Sequence, residues 1–331
     1  MRIVVLLVLI LPLTTLSFMR RIVSSSIRRM SITTETLSST SDITSIFSNL
    51  NLNVNLNPTT CYTDAHAHLI HDQFHGEEDS IIKKCQDYGL QHIIVNGLEP
   101  KSNRDVMELC TKYHPTLLPA IGIYPLDAAC LTIQKNPSLW TASFPPPDPF
   151  DVDEEIDFIE EMAKQKKIIA LGECGLDKYY LKDDETFAEQ ERVLRKLMKI
   201  AKKYDLPIIL HTRKAEERVL ELLLEEEVVK ADFHCFCGKS ALGVKIAENG
   251  YYLSIPSAVE NNSQFQGLVK KLPLDKILTE TDCPYMGPDK GQRNDPSTVP
   301  RGVAAIAKAK NISVEECSIA IRKNFHTLFQ I

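Results

Sequence analysis

The 331-residue chain has no surplus of basic residues: 38 lysines and arginines stand against 44 aspartates and glutamates, a net charge of −6. That balance argues against a protein that coats nucleic acid through broad electrostatics, and leaves a local basic patch or bound divalent cations as the means of holding a phosphate. It also has no C-x-x-C pair. Its nine cysteines are scattered singly apart from Cys235 and Cys237, which disfavours zinc knuckles, thioredoxin-like redox sites and a disulfide framework, so reduced thiols in a reducing compartment are expected. Nor is there a convincing membrane span, because the apolar run near Met1 is too short and wrongly flanked. What is present, 44% apolar residues in a chain of this length, suits a globular body with one large core or two modest ones.

The N-terminus reads as a targeting leader over residues 1–54. Residues 1–17, "MRIVVLLVLILPLTTLS", have an early arginine, an apolar run and small residues at the end, as a signal peptide has. Residues 18–45 begin "FMRRIVSSSIRRMSITTETLSSTS", rich in Arg, Ser and Thr and poor in acid, as transit peptides are. The order of the two segments resembles the bipartite leaders of plastids reached through the secretory pathway. A mitochondrial leader, or translation from Met19 or Met30 giving a cytoplasmic product, is the alternative. No stable membrane association is expected after leader removal.

Residues 55–331 read as a single α/β domain. From about Cys61, short β-branched runs alternate with longer charged amphipathic stretches. The runs are "CYTDAHAHL", "HIIVNG", "LLPAIGIYP", "KIIALGECGLD", "PIILHTR", "KADFHCFCG", "YYLSIPS" and "KILTETDCPY". Eight such units in roughly 270 residues predict a (β/α)8 TIM barrel, typically about 250 residues long. Phe187, Val193, Leu194, Leu197, Met198 and Ala201 recur at helical spacing. Residues 128–153, with "WTASFPPPDPFD", read as a long loop after the third strand, either covering the active site or an insertion without functional weight.

In a strand successive side chains point to opposite faces, so Asp64, His66 and His68 are expected on one face and Ala65 and Ala67 on the other. Two histidines at i, i+2 are either a metal claw or core residues satisfied by hydrogen bonds. The other runs favour the claw. Glu173, His211, His234 and Asp282 fall at the ends of the fourth, fifth, sixth and eighth runs, and in a barrel those ends meet in one mouth. Burying such groups without a cation would cost about 2 to 7 kcal/mol each. Four imidazoles and two carboxylates suit zinc, manganese or magnesium and are too many for one tetrahedral ion. Two divalent ions are therefore expected: one on His66, His68 and Asp282, one on His211 and His234, with Glu173 between. Alternation is expected to turn Cys174 and Cys235 away from the mouth.

These blocks resemble the TatD-like metal-dependent deoxyribonucleases, of the amidohydrolase-type barrels. "DAHAHL", "IIALGECGLDKYY", "LPIILHTRKA", "HCFCG", "LTETDCPYMGP" and "IRKNFHTLF" occur in the family's order, over about Tyr62 to Phe329. The resemblance implies that His66, His68, Glu173, His211, His234 and Asp282 take the positions of the metal ligands, and that the activity is divalent-metal-dependent hydrolysis of DNA phosphodiester bonds, commonly exonucleolytic, on single-stranded ends. The chain departs from the family at "GIYPLD", where Tyr124 and Leu126 replace two frequent histidines; this bears on substrate contacts rather than on the metals.

Within that expectation Glu173 and Asp282 are the catalytic carboxylates, Asp282 accepting the proton of the attacking water. Arg213 either pairs with a substrate phosphate oxygen or forms a salt bridge with Glu216 or Glu217. Asp64 is expected to support a histidine from behind. Asn96 faces the mouth or shapes the turn before Gly97. His71, His75, His92, His114 and His326 are expected at the surface or at caps. The competing readings are a metal-dependent amidase, lactonase or deacylase on the same barrel, and a non-catalytic binding protein.

Overall fold

The computed structural model describes residues 61–331, and the leader expected over residues 1–54 lies outside them. Eight strands follow in chain order: β1 (Tyr62–Ala67), β2 (Leu90–Asn96), β3 (Leu117–Ile121), β4 (Ala170–Asp177), β5 (Ile208–Arg213), β6 (Ala231–Phe233), β7 (Tyr252–Pro256) and β8 (Ile277–Glu280). Each pairs in parallel with its sequence neighbour. Helices α1 (Glu78–Asp87), α2 (Pro100–Lys112), α3 (Pro125–Ala128), α4 (Cys130–Lys135), α5 (Val152–Lys164), α6 (Asp184–Tyr204), α7 (Glu216–Glu225), α8 (Ser240–Glu248), α9 (Ser263–Lys271), α10 (Val299–Lys310) and α11 (Val314–Phe329) connect and cover them.

The seam between β8 and β1 is made largely by side chains. The Thr279 hydroxyl donates to the Thr63 carbonyl at 2.8 Å. Asp64 accepts the Thr281 N–H at 3.0 Å and the Thr281 hydroxyl at 2.6 Å. Beyond them the Asp282 N–H reaches the His66 carbonyl, and the His68 N–H the Cys283 carbonyl. These bonds complete a (β/α)8 barrel.

Strand alternation sorts the core into two layers. Ile94, Ala120, Ala170, Ile209 and Leu278 form an axial cluster, closed from one end by Phe325, Leu328 and Phe329 of α11. Their strand neighbours Ile93, Val95, Leu171, Leu210 and Ile277 pack outward under the helices. Helix α6 shows why the sequence folds so: Asp183 caps its first N–H groups, and Val193, Leu194, Leu197, Met198 and Ala201 form its buried stripe, as their spacing predicted.

Two expectations change. In β1 the alternation breaks: Ala65 belongs to the axial cluster and Ala67 to the outer layer, because the register shifts between Asp64 and Ala67. A bulge of this kind re-aims the side chains after it, so Asp64 does not share the face of the histidines. Its carboxyl stands near Cys85 and Cys283 of the outer layer. Residues 128–153 are likewise not one loop. They contain α4 and a 3₁₀ turn at Pro137–Leu139, since Leu126, Ala129 and Ile133 at helical spacing bury against Leu181 in a small core of their own.

Candidate metal centre

The six residues singled out in five separate segments converge at one end of the barrel. They do not all sit at strand ends. Glu173 and His211 lie within β4 and β5, whereas His68, His234 and Asp282 follow the last residues of β1, β6 and β8. Asp282 adopts φ +50°, a left-handed conformation uncommon for a non-glycine residue, and it turns the chain back over the mouth. Close approach of β4 to β5 depends on Gly175, at φ +147°: a Cβ there would stand 2.0 Å from the His211 carbonyl oxygen.

The Glu173 carboxylate divides the group. Its Oε2 lies 3.3 Å from His66 Nε2 and 3.2 Å from His68 Nε2. Those two nitrogens are 3.0 Å apart, and Asp282 Oδ1 stands 3.8 and 3.6 Å from them. On the other side, Glu173 Oε1 lies 3.0 Å from both His211 Nδ1 and His234 Nε2. Donor atoms each about 2.0 to 2.2 Å from one cation stand roughly 3.0 to 3.5 Å apart. The triad His66–His68–Glu173 meets that spacing throughout, and His211 and His234 each meet it with Glu173, so the donors present fit a divalent cation. A third close group, His66, His234 and Glu280, lies deeper.

Electrostatics point the same way. Burial opposes ionisation of Glu173, yet His234, with hydrogen bonds from His211, His234 and His66, holds it well below the usual carboxylate range. Burial pushes His66 well down, helped by His234, on whose ring it stacks at 3.9 Å. Burial also opposes protonation of His68, His211 and His234, but Glu173, joined by Asp177 for His211, raises all three. Burial pushes Asp282 up to about 6.

Several supporting residues escaped the sequence reading. Asp177 Oδ2 accepts from His211 Nε2 at 3.0 Å, a carboxylate behind a ligand-type imidazole. Asn96, which the sequence did single out for the mouth or for the turn before Gly97, faces His68 Nδ1 with its main-chain carbonyl at 3.2 Å. Beneath His234, Ser254 bridges Asp232 and Glu280 at 2.8 and 2.6 Å, and Glu280 stands 3.7 Å from His234 Nδ1. Period-two spacing was the available signal: Asp232 precedes His234, and Glu280 precedes Asp282, by two residues.

Asp64 grips the His66 main-chain N–H at 3.1 Å and Thr281, not an imidazole. Arg213 forms no ion pair with Glu216 or Glu217 among the described residues; its guanidinium lies 3.8 Å from the centre of the Tyr179 ring and 4.9 Å from that of Tyr180. Cys174 faces the outer core as expected. Cys235 does not turn away: strand alternation ends at Phe233, and with φ +44° Cys235 borders the mouth beside Cys237. His71 caps a 3₁₀ turn by accepting from the Gln73 N–H, and it too reaches the mouth.

The donors open into a cavity of about 820 Å³, bordered also by Tyr124, Phe144, Tyr180, Arg213 and Tyr285, within the roughly 300 to 1,000 Å³ usual for ligand sites. Tyr124, in place of a histidine, sets its ring edge-on to His211 at 4.9 Å.

Comparison with known proteins agrees with this architecture. The family model described as "TatD related DNase" matches residues 63–330. A Bacillus subtilis protein named "Uncharacterized metal-dependent hydrolase YabD" is 31% identical over 81% of this chain and 98% of its own. The human "Deoxyribonuclease TATDN3" is 30% identical over 80% of this chain and 93% of its own. Among solved structures, the TatD homologue YjjV of Escherichia coli superposes with a TM-score of 0.69 at 25% identity, over 82% of this chain and 99% of its own.

Proposed function

Because the chain belongs to the TatD related DNase family, we propose that it is a divalent-metal-dependent hydrolase of DNA phosphodiester bonds that trims unpaired ends. One observation carries the reading. Glu173 presents a separate oxygen to each of two donor groups, the arrangement of a carboxylate between two cations, which phosphodiester hydrolysis uses to stabilise the attacking and leaving oxygens.

His66, His68 and Asp282 would hold one ion, His211 and His234 the other, with Glu173 between; magnesium, manganese and zinc all suit these donors. When bound, the cations supply Lewis-acid polarisation of the phosphoryl group and make a nearby water acidic. The protein's own groups do the rest. The Asp282 carboxylate, which stands 3.8 and 3.6 Å from His66 Nε2 and His68 Nε2 at the mouth, accepts the proton of the attacking water. The Asp177 carboxylate keeps the proton of His211 on Nε2 and so leaves Nδ1 as the donor atom. Arg213, at the rim and in no ion pair among the described residues, is placed to pair with a non-bridging phosphate oxygen.

The test is purified protein with magnesium, manganese or zinc on end-labelled single-stranded DNA, alongside esters and lactones. Metal-dependent shortening from one end, abolished by chelation, is the expected result. Ester or lactone turnover without DNA cleavage would move the chain to another hydrolase class on this barrel.

A further inference from the structure

The segment that the metal chemistry does not use, around "WTASF", forms one wall of the mouth. Trp140 and Phe144 meet edge-to-face at 5.1 Å, and Phe144 meets Tyr180 in the same way at 5.1 Å. The Trp140 indole N–H donates to the Phe144 carbonyl at 2.7 Å, which fixes the turn between them. Trp140 and Tyr180 pack on the small core of Leu126, Ala129, Ile133 and Leu181, apart from the barrel's own core. On the barrel side, Asp177 Oδ1 accepts the N–H groups of Tyr179 and Tyr180 at 2.8 Å each. The wall is thus pre-organised from both ends.

Its exposure is unusual. Phe144 is 40% and Tyr179 45% exposed, although an aromatic pair needing only a core would be covered. Phe144, Tyr180 and Arg213 border the same cavity as the histidine–carboxylate centre, and Arg213 follows His211 by two residues on β5. Flat π-faces beside a guanidinium, next to a place for a phosphate, are the elements with which proteins hold unpaired bases without reading their sequence.

We propose that the exposed Phe144 ring, held edge-to-face by Tyr180 with Arg213 over the Tyr180 ring, is a stacking platform for an unpaired nucleobase of the strand whose phosphate lies on the centre. The inference rests on the nuclease reading above and deepens it: the substrate is a strand with an unstacked base near the scissile bond, and selection is for the presence of a base rather than its identity.

Trp140 is the chain's single tryptophan, so its emission reports on the wall. In a magnesium-loaded Asp282→Asn background, an octamer of thymidylate and an abasic octamer of equal length are titrated, with affinity read by anisotropy of labelled strands. Stacking predicts roughly tenfold tighter binding of the base-bearing strand, with a change in Trp140 emission it alone produces. Phe144→Ala and Tyr180→Ala should each remove most of that difference and leave abasic binding within about twofold. Phe144→Leu, a smaller change at an exposed position, serves where the alanine variants fold poorly. Equal binding of the two strands, no binding of either, or equal weakening of both by the variants overturns the platform. End-labelled DNA cleavage by the unaltered chain is read separately: its absence overturns the nuclease reading, whereas base-dependent binding in the same protein still supports the platform.

Discussion

The two halves of the centre are built by different means. On one side His211 is gripped twice, by Glu173 and by Asp177, and His234 rests above the Asp232–Ser254–Glu280 group. Both come from the hydrogen-bonded ladder of the sheet or the residue after it. On the other side His66, His68 and Asp282 straddle the β1–β8 seam, where Asp64 and Thr279 replace a regular ladder. There Asp282 meets the histidines only at 3.6 and 3.8 Å, and its carboxylate is 16% exposed. A ligand group held rigidly favours retention; one on a turn at a seam favours exchange and movement during turnover. The ladder half should behave as the anchor and the seam half as the working side.

The largest effect should come from removing what both halves share. Glu173→Gln is expected to lower DNA cleavage by about 10³-fold or more and to leave less than one tightly held ion per chain, checked by elemental analysis beside the nuclease assay. Asp282→Asn should cost roughly 10² to 10⁴-fold in kcat while keeping the ladder-side ion and the melting temperature; activity within tenfold of the parent protein would remove Asp282 from the role of proton acceptor. Asp177→Asn should be milder, about 10- to 100-fold in metal affinity, with the loss confined to the ion retained longest against a chelator. If the first ion to leave is affected instead, the anchor and the working side have been exchanged.

Two smaller effects depend on pH. His68, His211 and His234 hold protons more firmly than ordinary imidazoles, and a cation must displace those protons. Apparent metal affinity should therefore rise with pH through the neutral range, with proton release measurable by calorimetry in buffers of different ionisation enthalpy. Asp64 is pushed up to about 8 by burial. The folded state then keeps a proton that the unfolded chain gives up near pH 4, so the stability tied to this group is full below about pH 4 and declines as pH rises towards 8. Asp64→Asn should flatten the melting temperature between pH 5 and 8.5; parallel curves for variant and parent would show that Asp64 is ionised in the fold.

Much of this was legible because a parallel barrel writes its topology in the sequence. Eight apolar runs separated by amphipathic stretches became eight sequential strands, and ligand-type residues in different runs had one place to meet. What was not legible depends on local register. The bulge after Asp64 cannot be seen in "TDAHAHL", where strict alternation is the simplest reading, and it moved Asp64 from the histidine face to the seam. Glu173 and His211 look like strand ends because the apolar run stops there, although the backbone ladder continues for two to four residues. Cys235 depended on a left-handed residue following a three-residue strand. The aromatic wall was hidden by its prolines, which suggested a loop while Leu126, Ala129 and Ile133 were supplying a helical stripe.

Asp177 touches His211 with one oxygen and the main chain of Tyr179 and Tyr180 with the other. The two functions of the mouth therefore hang on a single hinge pin. Replacing the ring types along the wall leaves both of its bonds in place, whereas an insertion or deletion between residues 177 and 180 would loosen the metal side as well. In this loop, length is the constrained property and side-chain identity the free one.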